Sequence, residues 1–149
     1  MPVFERVSVL CTGNICRSPM AEAVLRAGLQ PLCPGVEVRS AGLAALGGHP
    51  ADPDALKLMD ERGLDVRAHR ATQFSGRDGL DSDLILVMTA EQRHTVEATW
   101  PLLQGRVYRF GHWGNFDVDD PYQRGESAFR KALKSIDTGV EPWLKIIAR

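Results

Sequence analysis

Val7-Ser8-Val9-Leu10-Cys11-Thr12-Gly13-Asn14-Ile15-Cys16-Arg17-Ser18-Pro19-Met20-Ala21-Glu22 is the stretch on which the fold turns. Its first four residues are a short, mostly apolar run and read as a buried strand. The run stops at Cys11-Thr12-Gly13-Asn14, where Gly and Asn tolerate backbone angles that other residues resist. Ser18-Pro19 then opens a helix: Ser can cap, Pro suits the first turn, and Glu22 lies near the positive end. Met20, Ala21, Val24 and Leu25 continue it, apolar at helical spacing. The unit is strand, loop, helix.

The same alternation recurs along the chain. Val36-Glu37-Val38 predicts a second strand that ends in Ser40-Ala41-Gly42, and a polar loop around Gly47 to Asp52 leads into a helix from Pro53 to Arg62, closed by Gly63. Leu84-Ile85-Leu86-Val87-Met88 is apolar throughout, as in a parallel strand covered on both faces. A helix from Ala90 to Ala98 and a strand near Val107 to Phe110 follow. A long loop, 111–122, precedes a last helix that sets Phe129, Ala132, Leu133, Ile136, Val140, Trp143, Leu144 and Ile147 on one face. Gly139 and Pro142 are expected to kink or interrupt it. The fold class is α/β: one domain over residues 1–149, a doubly wound sheet of about four parallel strands with helices on both faces. Ligands of such sheets bind at the carboxyl ends of strands, so the loops after the first, second and last strands are the places to look.

Composition narrows the function classes. Of 149 residues, 44% are hydrophobic and 25% charged, a globular profile. Eighteen basic against nineteen acidic residues leave a net charge of −1, which gives no electrostatic reason to expect nucleic acid or an anionic membrane as partner. No apolar run approaches the roughly 20 residues that span a bilayer. Met1-Pro2-Val3-Phe4-Glu5-Arg6 lacks the pattern of a signal peptide, and the expected location is cytoplasmic. Three cysteines do not form a disulfide scaffold, and no Cys/His set has zinc spacing, so no metal is expected.

The chemistry concentrates in Cys11-x5-Arg17-Ser18 at the strand-to-helix junction. A loop curling into a helix N-terminus aims backbone N–H groups into one concavity, which suits a phosphate. Those donors and Arg17 favour the thiolate form of a cysteine at the mouth of the cup. Arg17 can grip two phosphate oxygens at once. The Ser18 hydroxyl can stabilise a departing thiolate. The segment lacks the Gly-Lys-Ser/Thr ending of a nucleotide-binding loop. A proton donor is also needed, and Asp117, Asp119 and Asp120, ahead of Pro121, all qualify by type. Adjacent Asp119 and Asp120 make one carboxyl easier to keep protonated.

These pieces together resemble the low-molecular-weight protein tyrosine phosphatase family. The likeness runs from Val9 to Glu22, through Ser40-Ala41-Gly42, Pro50-Ala51-Asp52-Pro53, His69-Arg70-Ala71 and Leu84 to Met88, to Asp120-Pro121-Tyr122. It implies a metal-free, cofactor-free hydrolase of phosphotyrosine, with Cys11 as nucleophile, Arg17 as clamp and Asp120 as general acid and then base. The loop from Thr12 through Gly13, Asn14 and Ile15 to Cys16, with Ser18, would hold the phosphate. Ser40 and His69 would brace that loop. Tyr122 would wall the substrate cleft, and Leu46 stands opposite, where many members carry an aromatic residue. Cys16 matches a cysteine that can pair reversibly with the nucleophile under oxidation. Phe110-Gly111-His112-Trp113 looks like the bacterial members that act on membrane-bound tyrosine autokinases of exopolysaccharide production.

Three alternatives share the loop. An arsenate reductase needs further downstream cysteines, and none follows Cys33. A protein arginine phosphatase carries Thr where Ile15 stands. A non-catalytic phospho-ligand binding module would not require Cys11, Arg17 and Asp120 together.

Overall fold

Side-chain alternation along β1 (Arg6–Cys11) decides the layers. In the computed structural model, which describes residues 4–149, Val7, Val9 and Cys11 face one apolar core and Leu10 faces another. The N-terminal segment read above for a leader lies partly outside the described residues. Strand β3 (Leu84–Val87) behaves alike: Leu84 and Leu86 join the first core, Ile85 and Val87 the second. A strand buried on both faces is apolar at nearly every position, which is why this run shows no polar alternation.

The first core is closed by α1 (Arg17–Leu29), α2 (Pro53–Glu61) and α5 (Glu126–Ile147), and the second by α4 (Ala90–Thr99) with Phe74, Trp100 and Leu103. Together with β2 (Glu37–Gly42) and β4 (Val107–Arg109), the strands form one parallel sheet in the order β2-β1-β3-β4. The chain leaves β1 toward β2 on one side and reaches β3 on the other. The carboxyl end of β1, at Cys11, is therefore the switch point where such sheets bind ligands.

Several expectations need correction. Strand β2 begins at Glu37, one residue later than expected, and ends as expected in Ser40-Ala41-Gly42, which pair with Val9, Leu10 and Cys11. Helix α1 begins at Arg17 with Cys16 at its N-cap and has no side-chain cap. Ser18 is taken up by other partners, and Glu22 lies beyond the first turn. A short helix, α3 (Gly76–Leu80), was not anticipated; a reciprocal capping box of Ser75 and Asp78 nucleates it. The segment 111–122 contains a 3-10 turn, His112–Gly114.

Helix α5 is continuous through Gly139 and Pro142. Tertiary packing overrides the local breakers: Ile136 before them, Val140 between them and Trp143 and Ile147 after them are all buried. Gly139 is there for space, since a Cβ would lie 2.8 Å from the Phe110 carbonyl oxygen. The Trp143 indole donates to that same oxygen at 3.0 Å. Gly139→Ala gains about 1 kcal/mol of helix propensity but overpacks a rigid backbone contact costing about 1–3 kcal/mol. The expected result is net destabilisation, read as a lower urea midpoint at unchanged slope; a raised midpoint would show that α5 can move away.

Candidate active site

Every buried backbone oxygen needs a donor, and the loop after β1 meets this in one direction. The carbonyls of Cys11, Thr12 and Gly13 accept from the N–H groups of Leu43 (3.0 Å), Ala44 (2.9 Å) and Leu46 (3.1 Å), and that of Ile15 from Asp52 (2.8 Å). The Asn14 carbonyl lies 2.7 Å from His69 Nε2. A carbonyl only accepts, so Nε2 carries the proton. The oxygens all point outward to the β2–α2 segment and to His69. Among the described residues, no protein acceptor takes the N–H groups of Thr12 to Cys16. With the uncapped start of α1 they form a cradle of free donors.

Asn14 makes the sharp turn, with a left-handed φ of 59°. Its side chain is fully used: Oδ1 accepts from the Thr72 N–H at 2.9 Å, and Nδ2 donates to Ser18 Oγ at 2.7 Å and Ser40 Oγ at 3.0 Å. Ser18 Oγ lies 2.9 Å from Cys11 Sγ. Cys11, only 2% exposed, sits at the base of the cradle.

Arg17, 3% exposed, brings a buried positive charge to the same point. Its guanidinium donates to the Val118 carbonyl at 2.9 Å and lies 3.6 Å from an Asp120 carboxylate oxygen, while Nε is buried without a partner. Val118 is held by its own N–H, which donates to the Met88 carbonyl past β3 at 2.9 Å. Gln92 ties the same strand end to the loop: it accepts from Met88 N–H and donates to Thr12 Oγ1 at 3.2 Å.

The three candidate acids separate. Asp117 accepts from the first amide of α4, at Ala90, and pairs with Arg109, both at 3.0 Å. Asp119 turns to the surface near Lys131, at 3.8 Å. Asp120 lines a cavity of about 150 Å³ with Cys11, Arg17, Ile15, Leu46 and Tyr122. The Tyr122 N–H donates to its carboxylate at 3.1 Å, a turn made possible by Pro121. Leu46 and Tyr122 are both partly exposed at the mouth.

Residues 6–149 match the family model described as low molecular weight phosphotyrosine protein phosphatase. The chain belongs to that family. It is 46% identical over 142 residues to the probable low molecular weight protein-tyrosine-phosphatase EpsP of Ralstonia solanacearum, covering 95% of each chain. The crystal structure of the Erwinia amylovora tyrosine phosphatase AmsI superposes with a TM-score of 0.90 at 35% identity, covering 98% of this chain and 95% of that one. The tyrosine phosphatase Wzb from Escherichia coli K30, solved in complex with sulphate, gives 0.88 at 34% identity, over 95% and 97%.

In this low-molecular-weight tyrosine phosphatase the residues singled out in the sequence converge. Cys11, Thr12, Gly13, Ile15, Cys16, Arg17, Leu46, Asp120 and Tyr122 line one cavity, while Asn14, Ser18, Ser40 and His69 form the supporting network. Sequence reasoning missed Gln92, Thr72, Val118 and Ala44. Thr72 and Val118 contribute backbone groups, which carry no residue signature. Glu22 was legible only as a helix residue, yet it accepts from Ser40 Oγ at 2.6 Å.

Cys16 lies in different surroundings from Cys11. Burial pushes the Cys16 thiol far up, with Asp52, Cys11 and Asp120 adding to the rise and Arg17 opposing it. A raised thiol value means the neutral form persists through the physiological range. At pH 7.5 iodoacetamide is expected to alkylate Cys11 and spare Cys16, as peptide mass mapping would read. Equal labelling of the two would contradict this account of the loop.

Proposed function

We propose that this tyrosine phosphatase hydrolyses phosphotyrosine through a phosphocysteine intermediate, as one catalytic domain spanning residues 1–149. The observation that carries the reading is that Cys11 Sγ, the Arg17 guanidinium and the Asp120 carboxylate face one small cavity above free backbone donors. The Cys11 thiolate attacks phosphorus and the phosphorus–phenol oxygen bond breaks. Asp120 delivers its proton to the departing phenolate. Asp120 then takes a proton from water, the water oxygen bonds to phosphorus, and the phosphorus–sulfur bond breaks to return the thiolate and release phosphate. The loop amides from Thr12 to Cys16 and Arg17 hold the equatorial oxygens throughout, where fixed dipoles act without reorganising. Ser18 stabilises the sulfur each time it carries charge.

Depth supports the substrate class. Cys11 lines a cavity flanked by Leu46, Ile15 and Tyr122, and a long, flat phosphotyrosine suits a buried sulfur there better than a short phosphoserine. Ile15 offers no polar group to orient a guanidinium phosphate. The likeness of Phe110 to Trp113 to phosphatases of exopolysaccharide production supports a membrane-bound tyrosine autokinase as the substrate protein. No helix among the described residues is long and apolar enough to cross a membrane, which fits an enzyme that meets such a kinase from outside the bilayer. A thiolate nucleophile needs a reducing compartment, which supports a cytoplasmic location.

Two measurements test the assignments. Cys11→Ser should abolish turnover while phosphate binding persists, and more than a few percent residual activity would remove Cys11 as nucleophile. Asp120→Asn should slow phosphotyrosine turnover by about 10²–10⁴-fold. That loss should shrink on aryl phosphates whose phenols leave without a proton, and Asp119→Asn should have a much smaller effect. A leaving-group-dependent loss in Asp119→Asn alone would reverse the two roles. A panel of phosphotyrosine, phosphoserine and phosphoarginine peptides, with an autophosphorylated tyrosine kinase domain, tests the substrate; comparable rates on phosphoserine would contradict it.

A further inference from the structure

The hydrogen-bond chain behind the loop has a direction, and one branch of it ends on a carboxylate outside the pocket. Asn14 Nδ2 has two hydrogens and spends them on Ser18 Oγ and Ser40 Oγ. Its flip is fixed, because Oδ1 accepts from the Thr72 N–H. Ser40 Oγ therefore receives a donor from Asn14 and must send its own hydrogen elsewhere. It sends it to Glu22 Oε1, at 2.6 Å. Ser18 Oγ, also receiving a donor from Asn14, has its hydrogen left for Cys11 Sγ, at 2.9 Å.

We propose that Glu22 is a positioning residue for the phosphatase reaction: by accepting from Ser40 it keeps that hydroxyl open to the Asn14 amide, and so holds the amide in line on Ser18, which donates to the Cys11 sulfur. The inference rests on Cys11 being the nucleophile. Glu22 suits the task because an ionised carboxylate only accepts, so the Ser40 hydroxyl cannot reverse. Its side chain is 15% exposed and its other oxygen accepts from Arg26, which donates as well to the Val38 carbonyl. Asp65 and His69 are the further charged or titratable groups lining the cavity of about 230 Å³ on which Glu22 opens. Around the sulfur the corresponding groups are Arg17, Asp120 and Cys16. Without the Glu22 acceptor, Ser40 can turn its hydrogen toward Asn14, whose amide then loses a partner and its alignment on Ser18.

Glu22→Gln tests this without changing shape. Arg26 can only donate, so it draws the amide oxygen and leaves the Gln NH2 facing Ser40, a donor where an acceptor stood. The readouts are the pH dependence of Cys11 alkylation by iodoacetate, mapped by mass, and steady-state kinetics on an aryl phosphate. Loss of a hydrogen bond to a charged sulfur is worth about 1.5 kcal/mol, or about one pH unit. The alkylation midpoint in Glu22→Gln is expected about one pH unit higher. Its kcat should fall about tenfold at nearly unchanged KM, since Arg17 and the amides still bind phosphate. Arg26→Ala alone should match wild type. Arg26→Ala added to Glu22→Gln frees the amide to turn its oxygen to Ser40, and the midpoint should return toward wild type. A Glu22→Gln profile superimposable on wild type overturns the proposal, as does a double variant no better than Glu22→Gln. Wild-type inactivation that tracks with a cysteine other than Cys11 would instead overturn the nucleophile assignment, and this proposal with it.

Discussion

The outward pull on the carbonyl oxygens of Cys11 to Ile15 is the constraint from which the site follows. Each oxygen is held by a donor outside the loop, so the peptide planes are fixed and their N–H groups are left for the pocket. This explains why β2 and the segment after it lie so close to the loop. Gly42 carries no side chain because a Cβ there would stand 2.6 Å from the Thr12 carbonyl oxygen. The anion cradle is made by what surrounds it, and the loop sequence alone would not hold its shape.

A cradle of donors beside a buried guanidinium is costly unless negative charge is supplied. The Val118 carbonyl and the half-exposed Asp120 carboxylate supply part of it, and the buried Arg17 Nε leaves donor capacity unspent. That balance depends on the 110–122 segment holding its place. Its first residue is clamped by Trp143 and Gly139 of α5, and its middle by Val118 on the end of β3 and by Asp117 on α4. Helix α5 thus reaches the chemistry through backbone contacts far from the cavity. Its exposed ion pairs to α2, Arg130 with Glu61 and Lys57 with Glu126, add little by comparison, because exposed pairs are worth about 0–1 kcal/mol.

The two loop cysteines show how steeply the environment changes over five residues. Cys11 shares its place with the free amides, Ser18 and Arg17. Cys16 occupies the N-cap position of α1 without capping it, and its thiol is pushed up by burial and by Asp52. Chemically identical side chains thereby meet different surroundings, one beside free donors and a guanidinium, the other held neutral by burial.

The sequence by itself determined the parallel sheet, since unbroken apolar runs such as Leu84 to Val87 fit only strands covered on both faces. It also determined the strand–loop–helix unit and the Cys11–Arg17 spacing, because these rest on local geometry within one turn of chain. Tertiary structure decided what depends on distant backbone. It selected Asp120 over Asp117 and Asp119 as the carboxylate facing the cavity, by giving the other two a helix end and a lysine. It carried α5 through Gly139 and Pro142, where packing on Phe110 outweighs local propensity. It linked Glu22 to Cys11 through Ser40, Asn14 and Ser18, a chain invisible in the sequence because hydrogen-bond direction depends on which partners meet in space.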